Sequence, residues 1–319
     1  MNWTKWTGLL VLVLVLTLTL FLLSEYILKT QMGLGEPIVY ESHPLWGYAP
    51  KPNARYVRFG DDVVSFNNVG TRSTSDWRMD GQNILFLGDS VTYGGSYIDD
   101  HQTFASLVCN HLADWSCHNA GVNAYGIINM VARSRYDNRV NDAPVRVFTF
   151  ITGDFDRGLQ KADTAHFILR EPPAYFPALW EVGNFLASRI KPNTWFGKTS
   201  QKNLNDTERS QQQFINRSFA LDILITEIER LKLLNKKFLL VHSPSKSELT
   251  NPQLIYENKI LAKLQEKYSG NILMLSEYLQ EALLDDPIKL FRDDVHYEEA
   301  GHRVAGAALS KRLSVLLTP

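Results

Sequence analysis

The sequence predicts an α/β domain, a three-layer sandwich around a parallel five-stranded sheet, carried behind one N-terminal transmembrane helix. Three observations predict it. Short apolar runs of four to seven residues alternate with helix-period segments from residue 83 onward. The runs are short enough to be buried strands and the intervening segments long enough to be crossover helices. An uncharged apolar run from Trp6 to Leu23 opens the chain.

WTGLLVLVLVLTLTLFLL is 18 residues without a charge, continuing through SEYIL to Leu28. About 20 helical residues cross a hydrocarbon core of roughly 30 Å. A strand of that length, apolar on both faces, is the poorer reading. A cleaved signal peptide would have a shorter apolar region and a small-x-small site after it. Leu23-Ser24-Glu25-Tyr26-Ile27 offers no such site, so an uncleaved anchor is expected. Lys5 lies on one side and Lys29 on the other. The short N-terminal flank with one lysine favours a cytoplasmic N-terminus and an extracytoplasmic body.

Residues 30–82 form a lead-in segment. HPLWGYAPKPN is turn-rich, and VVSFNNVGTR reads as a short strand followed by a loop. From residue 83 to 319 the elements follow in order: strand 84–87, helix 103–115, strand 118–122, helix 125–140 and strand 145–151. Helix 221–234, strand 237–242, helix 256–267, strand 272–275 and helix 298–316 complete them. An insertion at about 157–210 breaks the rhythm, first aromatic (EPPAYFPALWEVGNFLASRI), then polar. It reads as a cap, a membrane-surface contact, a sugar-stacking surface or simply a packed insertion. Cys109 and Cys117 are the only cysteines. They read either as a pair in an oxidising compartment or as two small buried hydrophobes.

Composition excludes some functions. Of 319 residues, 45% are apolar and 21% charged, so the chain is globular. A net charge of -1 leaves no basic footprint for nucleic acid. No metal-ligand spacing or cofactor motif is visible.

In open parallel sheets, ligands bind beyond the carboxyl ends of the strands. Gly88-Asp89-Ser90 and Thr152-Gly153-Asp154 end the first and third strands, so both belong on one rim. A serine nucleophile needs a base, the base an orienting carboxylate, and the developing oxyanion its donors. FRDDVHYEEAGH supplies the pair: Asp293 stands three residues before His296, with Asp294 ranked second. Gly-Asp alone is turn chemistry. Its occurrence with Asp-x-x-His, at strand ends of one α/β domain, points to a nucleophile instead.

These blocks resemble those of the SGNH/GDSL hydrolases, in their membrane-anchored bacterial form. Block one is matched by Gly88-Asp89-Ser90-Val91-Thr92-Tyr93-Gly94 and the last block by Asp293-Asp294-Val295-His296, with Gly301-His302 trailing it. It is distinct from the G-x-S-x-G elbow, because Thr92 stands where that motif has glycine. The resemblance implies a flavodoxin-like sandwich, with Ser90 as nucleophile, His296 as base and Asp293 as its orienter. It implies an oxyanion hole from the Ser90 N–H and a block-two N–H. The best register gives Ala124, with Gly121 and Asn123 as fallbacks. Block three lacks the family's asparagine; its place falls on Gly153 or Phe155. Asp89, Gly153 and Asp154 are secondary candidates. No metal or organic cofactor is implied.

The function expected is a serine esterase hydrolysing an O-acyl group, O-acetyl above all, on an extracytoplasmic glycan. In a Gram-negative cell it would face the periplasm from the inner membrane. Two alternatives stand: an O-acyltransferase using the same triad with a sugar hydroxyl as acceptor, and a non-catalytic carbohydrate-binding relative. The expected partners are the membrane and an acylated glycan, with no nucleic acid.

Overall fold

The computed structural model describes residues 3–58, 62–79, 81–163, 177–183, 206–285 and 289–318. Helix α1, Trp3–Met32, has 30 residues and is about 45 Å long. Within Trp6–Met32 an 18-residue apolar window has a mean hydropathy of 2.6, and none of that window is buried. By length and composition the helix is able to cross a membrane. Glu25, nearer the end of α1, faces the body. The carboxylate is buried and accepts the backbone N–H groups of Ala178 (2.7 Å) and Leu179 (3.1 Å), at the start of a short helical stretch, 178–183.

The lead-in folds as two antiparallel hairpins. Strand β1 (Tyr40–His43) pairs with β2 (Gly47–Pro50), and β3 (Ala54–Arg58) with β4 (Asp62–Phe66). The exit from α1 is fastened to them, because Arg58 donates to Gly33 O (3.0 Å), Glu36 O (2.6 Å) and Glu181 Oε1 (2.8 Å). Bridges Phe66–Arg72 and Arg72–Asn119 then carry the lead-in onto the sheet edge.

The sheet contains β5 (Asn83–Gly88), β6 (Ser116–Gly121), β7 (Val145–Phe150), β8 (Lys237–His242) and β9 (Ile272–Met274). All are parallel, in the order β6-β5-β7-β8-β9. This is the predicted five-stranded sheet. The strand alternation sorts the core into two layers. Leu85, Leu87 and Leu240 face α4 (Ile127–Tyr136), α5 (Asp206–Leu233) and α8 (Lys259–Tyr268) through Met130, Leu224, Ile228 and Leu264. Ile84, Phe86 and Val241 face α3 (Phe104–Cys109), α9 (Leu275–Asp285) and α10 (Glu299–Leu317) through Phe104, Leu279 and Leu309. Three short helices complete the order: α2 (Ser90–Tyr93) after β5, then α6 (Lys246–Thr250) and α7 (Gln253–Tyr256) after β8. The strand order reverses at β5, which places a crevice at its carboxyl end.

Some boundaries differ from the sequence reading. The helix expected to run to residue 115 stops at Cys109, because a Cys109–Cys117 disulfide draws its end back to the start of β6. Helix α5 begins 15 residues before the apolar stripe that announced it. Helix α9 lies within a stretch read only as strand and loop. The small residues of α10 serve a helix as well as the sheet: a Cβ on Gly306 would sit 2.9 Å from Leu107 Cβ of α3. Most of the aromatic stretch 171–190 lies outside the described residues.

Candidate active site

Strand β5 is buried along its whole length and has to end abruptly. Glycine lets it do so. A Cβ on Gly88 would stand 1.8 Å from Thr92 Oγ1 and 2.8 Å from Thr149 O. A Cβ on Gly121, beside it at the end of β6, would stand 2.3 Å from Tyr93 N. The single turn of α2 therefore sits directly on two bare backbones. Asp89 caps the turn, accepting from Val91 N at 2.9 Å, and Gly94 closes it at φ +89°. Ser90, its first residue, is fixed from both ends.

His296 comes from the loop before α10. Asp293 folds that loop by accepting the backbone N–H groups of His296 (2.9 Å) and Val295 (3.0 Å) through Oδ1. Its other oxygen, Oδ2, lies 2.7 Å from His296 Nδ1. Nε2 then lies 2.8 Å from Ser90 Oγ. Burial opposes charge on Asp293, but the two backbone donors and the imidazole outweigh it, holding the carboxyl below its usual range. Asp294, ranked second, turns away and accepts from Ser247 N (3.0 Å) and Oγ (2.7 Å). The next residue anchors the loop: Tyr297 Oη is 2.6 Å from Ser243 Oγ beyond β8. His302 is part of the packing. It is buried, its Nδ1 accepts from Phe104 N at 3.3 Å, and burial pushes its pKa down to about 3.

The block-two loop follows β6. Ala124 holds φ +65°, a conformation that favours glycine. Two tyrosines brace it: Tyr48 Oη donates to Asn123 O at 2.8 Å, and Tyr125 Oη donates back to Tyr48 O. The N–H of Gly121, the fallback donor, donates to Asn119 Oδ1 at 2.9 Å. The Asn123 side-chain amide has no hydrogen-bond partner among the described residues.

The two block-three positions differ in their surroundings. Phe155 is buried, its ring centroid 5.3 Å from that of Phe150, so its side chain belongs to the core. The open position is Gly153, where a Cβ would meet nothing nearer than Ile151 Cδ1 at 4.0 Å. Asp154, a secondary candidate, lies inside the protein. It is fully buried, with Oδ2 accepting from Ile151 N (3.1 Å) and Oδ1 from Arg157 Nη1 (2.6 Å). Burial first, and then the neighbouring Asp89 charge, raise its pKa well above the usual carboxyl range. Sequence reasoning missed the Tyr48–Tyr125 clasp and Arg157. Tyr48 carries no local signal, since its partners are 75 and 77 residues away.

No family model matches the sequence, and no curated protein is similar to it at a significant level. Solved structures are similar to it. A catalytic mutant of an acetylxylan esterase from Geobacillus stearothermophilus is 13% identical, covering 73% of this chain and 94% of that one at TM-score 0.45. A two-domain esterase active on acetylated mannans is 16% identical, over 75% of this chain and half of that one, at TM-score 0.45. A lipolytic protein of the G-D-S-L family from Veillonella parvula is 13% identical, over 72% of this chain and 96% of that one, at TM-score 0.40.

Proposed function

We propose that this protein is a serine esterase that removes an O-acyl group, O-acetyl by preference, from an extracytoplasmic glycan. The observation that carries the reading is the unbroken line Ser90 Oγ–His296 Nε2, 2.8 Å, and His296 Nδ1–Asp293 Oδ2, 2.7 Å. An imidazole held in that tautomer accepts the serine proton as Oγ attacks the acyl carbon. The protonated His296 then gives that proton to the departing sugar hydroxyl. The acyl-enzyme is hydrolysed by a water that His296 deprotonates in turn. The Ser90 and Ala124 N–H groups take the oxyanion.

The openness of the site supports a bulky, polar alcohol as leaving group: the His296 and Asp293 side chains are 30% and 54% exposed. The disulfide and the apolar α1 support a body held at a membrane in an oxidising compartment.

The test is direct. A fluorophosphonate probe should label the detergent-solubilised chain and fail on Ser90→Ala, and p-nitrophenyl acetate should be cleaved. An unlabelled wild-type serine with no acetate release would overturn the reading. Acyl transfer to an added oligosaccharide outrunning hydrolysis would replace it with the acyltransferase.

A further inference from the structure

The oxyanion that this reaction generates needs preorganised donors. The site described so far supplies two backbone N–H groups and, at Gly153, no side chain. Beside that gap stands a cation that the esterase reading does not use. Arg157 Nη1 is 2.6 Å from Tyr125 O, 2.6 Å from Asp154 Oδ1 and 3.4 Å from Asp89 Oδ2. Its contacts therefore reach the residue before the nucleophile, the residue after Ala124 and the turn carrying Gly153. A single guanidinium nitrogen joins all three strand-end loops that border the acyl carbon's position.

The placement is built. A Cβ on Gly126 would stand 2.7 Å from Arg157 Cβ, so glycine there lets the side chain pass close over the block-two loop. All three acceptors converge on Nη1, while a guanidinium carries five N–H donors. Nε and Nη2 have no partner among the described residues, and neither is sealed from solvent. The side chain is 31% exposed, whereas its two carboxyl partners are buried. The guanidinium is thus anchored from below on one nitrogen with donors to spare on the open side.

We propose that Arg157 is a catalytic residue whose free guanidinium N–H groups donate to the oxyanion of the tetrahedral intermediate, in the place Gly153 leaves without a side chain. The inference rests on the esterase reading. A charged donor of this kind stabilises a developing anion more strongly than a neutral one, and removing one oxyanion donor costs about 10²–10³ in kcat.

The experiment measures kcat and KM for p-nitrophenyl acetate, with fluorophosphonate labelling, on the full chain in detergent. It compares wild type, Arg157→Met, Gly153→Asn and the double variant. Arg157→Met should lose about 10²–10³ in kcat with KM changed less than threefold. Adding Gly153→Asn to it should return at least tenfold, because an amide then reaches the same anion. A brace without chemistry would not be rescued that way. Should Arg157→Met fail to fold for want of its counter-ion, Asp89→Asn/Arg157→Met removes the buried carboxylate that Arg157 faces while keeping an Oδ1 to accept from Val91 N, and is compared with Asp89→Asn alone. Arg157→Met within threefold of wild type, or a loss that asparagine at 153 leaves untouched, overturns the proposal. Absence of labelling in the wild-type chain overturns the esterase reading instead, so the two failures are separable.

Discussion

Adding one methyl group at Gly88 should disable the site without touching a reacting atom. In Gly88→Ala the new Cβ would stand 1.8 Å from Thr92 Oγ1, 2.6 Å from Thr92 Cβ and 2.8 Å from Thr149 O. An ordinary contact begins near 3.4 Å, so Thr92 has to retreat by roughly 1.6 Å. Rotating its hydroxyl is not enough, because its Cβ also clashes. Thr92 cannot move alone either: it is buried on the one-turn α2, and its carbonyl accepts from Asn119 Nδ2 at 2.6 Å. The turn shifts as a unit and carries Ser90 with it, on the order of 1 Å. A misplacement of that size costs about 10²-fold in rate, or ~2.7 kcal/mol. The assay is kcat for p-nitrophenyl acetate, with thermal unfolding followed by circular dichroism. Gly270→Ala, where a Cβ meets nothing within 4 Å, is the control. Gly88→Ala with native unfolding and a kcat within threefold of wild type would refute the claim that glycine sets the height of the nucleophile.

Other perturbations follow from the same geometry. Asp293→Asn should lower kcat by about 10³–10⁴ with little change in Tm, since it disturbs the imidazole tautomer of a half-exposed pair; a loss under tenfold would sink the orienting role. Ala124→Gly relieves about 1 kcal/mol of left-handed strain against a comparable gain in unfolded-state freedom. Tm should therefore move by no more than a few degrees, with kcat kept, as unfolding and acetate release will show. The raised pKa of Asp154 means its protonated form stabilises the fold at low pH, and that contribution fades as pH rises through the folded-state pKa. Asp154→Asn has no carboxyl to titrate, so its Tm relative to wild type should climb as pH rises above the usual carboxyl range; a flat difference would contradict the raised pKa. Tyr48→Phe should lower both Tm and kcat, because Asn123 O loses its donor beside Ala124; an unchanged kcat would remove the brace.

The five strands were legible because each is a short apolar run, and Asp293-x-x-His296 because loop spacing and chemistry coincide within four residues. What stayed hidden depended on distance along the chain. The length of α3 is decided by a covalent bond from Cys109 to Cys117, not by the helical period that continues to Trp115. That Phe155 is buried while Gly153 stays open depended on the direction of a side chain, which the sequence does not give. Arg157 lay in plain view in GDFDRG, yet a lone arginine after a strand is ordinarily a solvated charge. Its meaning comes from Asp89 and Tyr125, 68 and 32 residues away.

The clasp between Tyr48 and Tyr125 has a mechanical consequence. The same lead-in that grips the oxyanion loop is held to the end of α1 by Arg58, with only seven residues, 33–39, between helix and first strand. Helix, lead-in and loop are joined by contacts in series. In the function proposed above, a body mounted through them would work close to its mooring, and a sideways load on α1 would pass to the loop carrying Ala124.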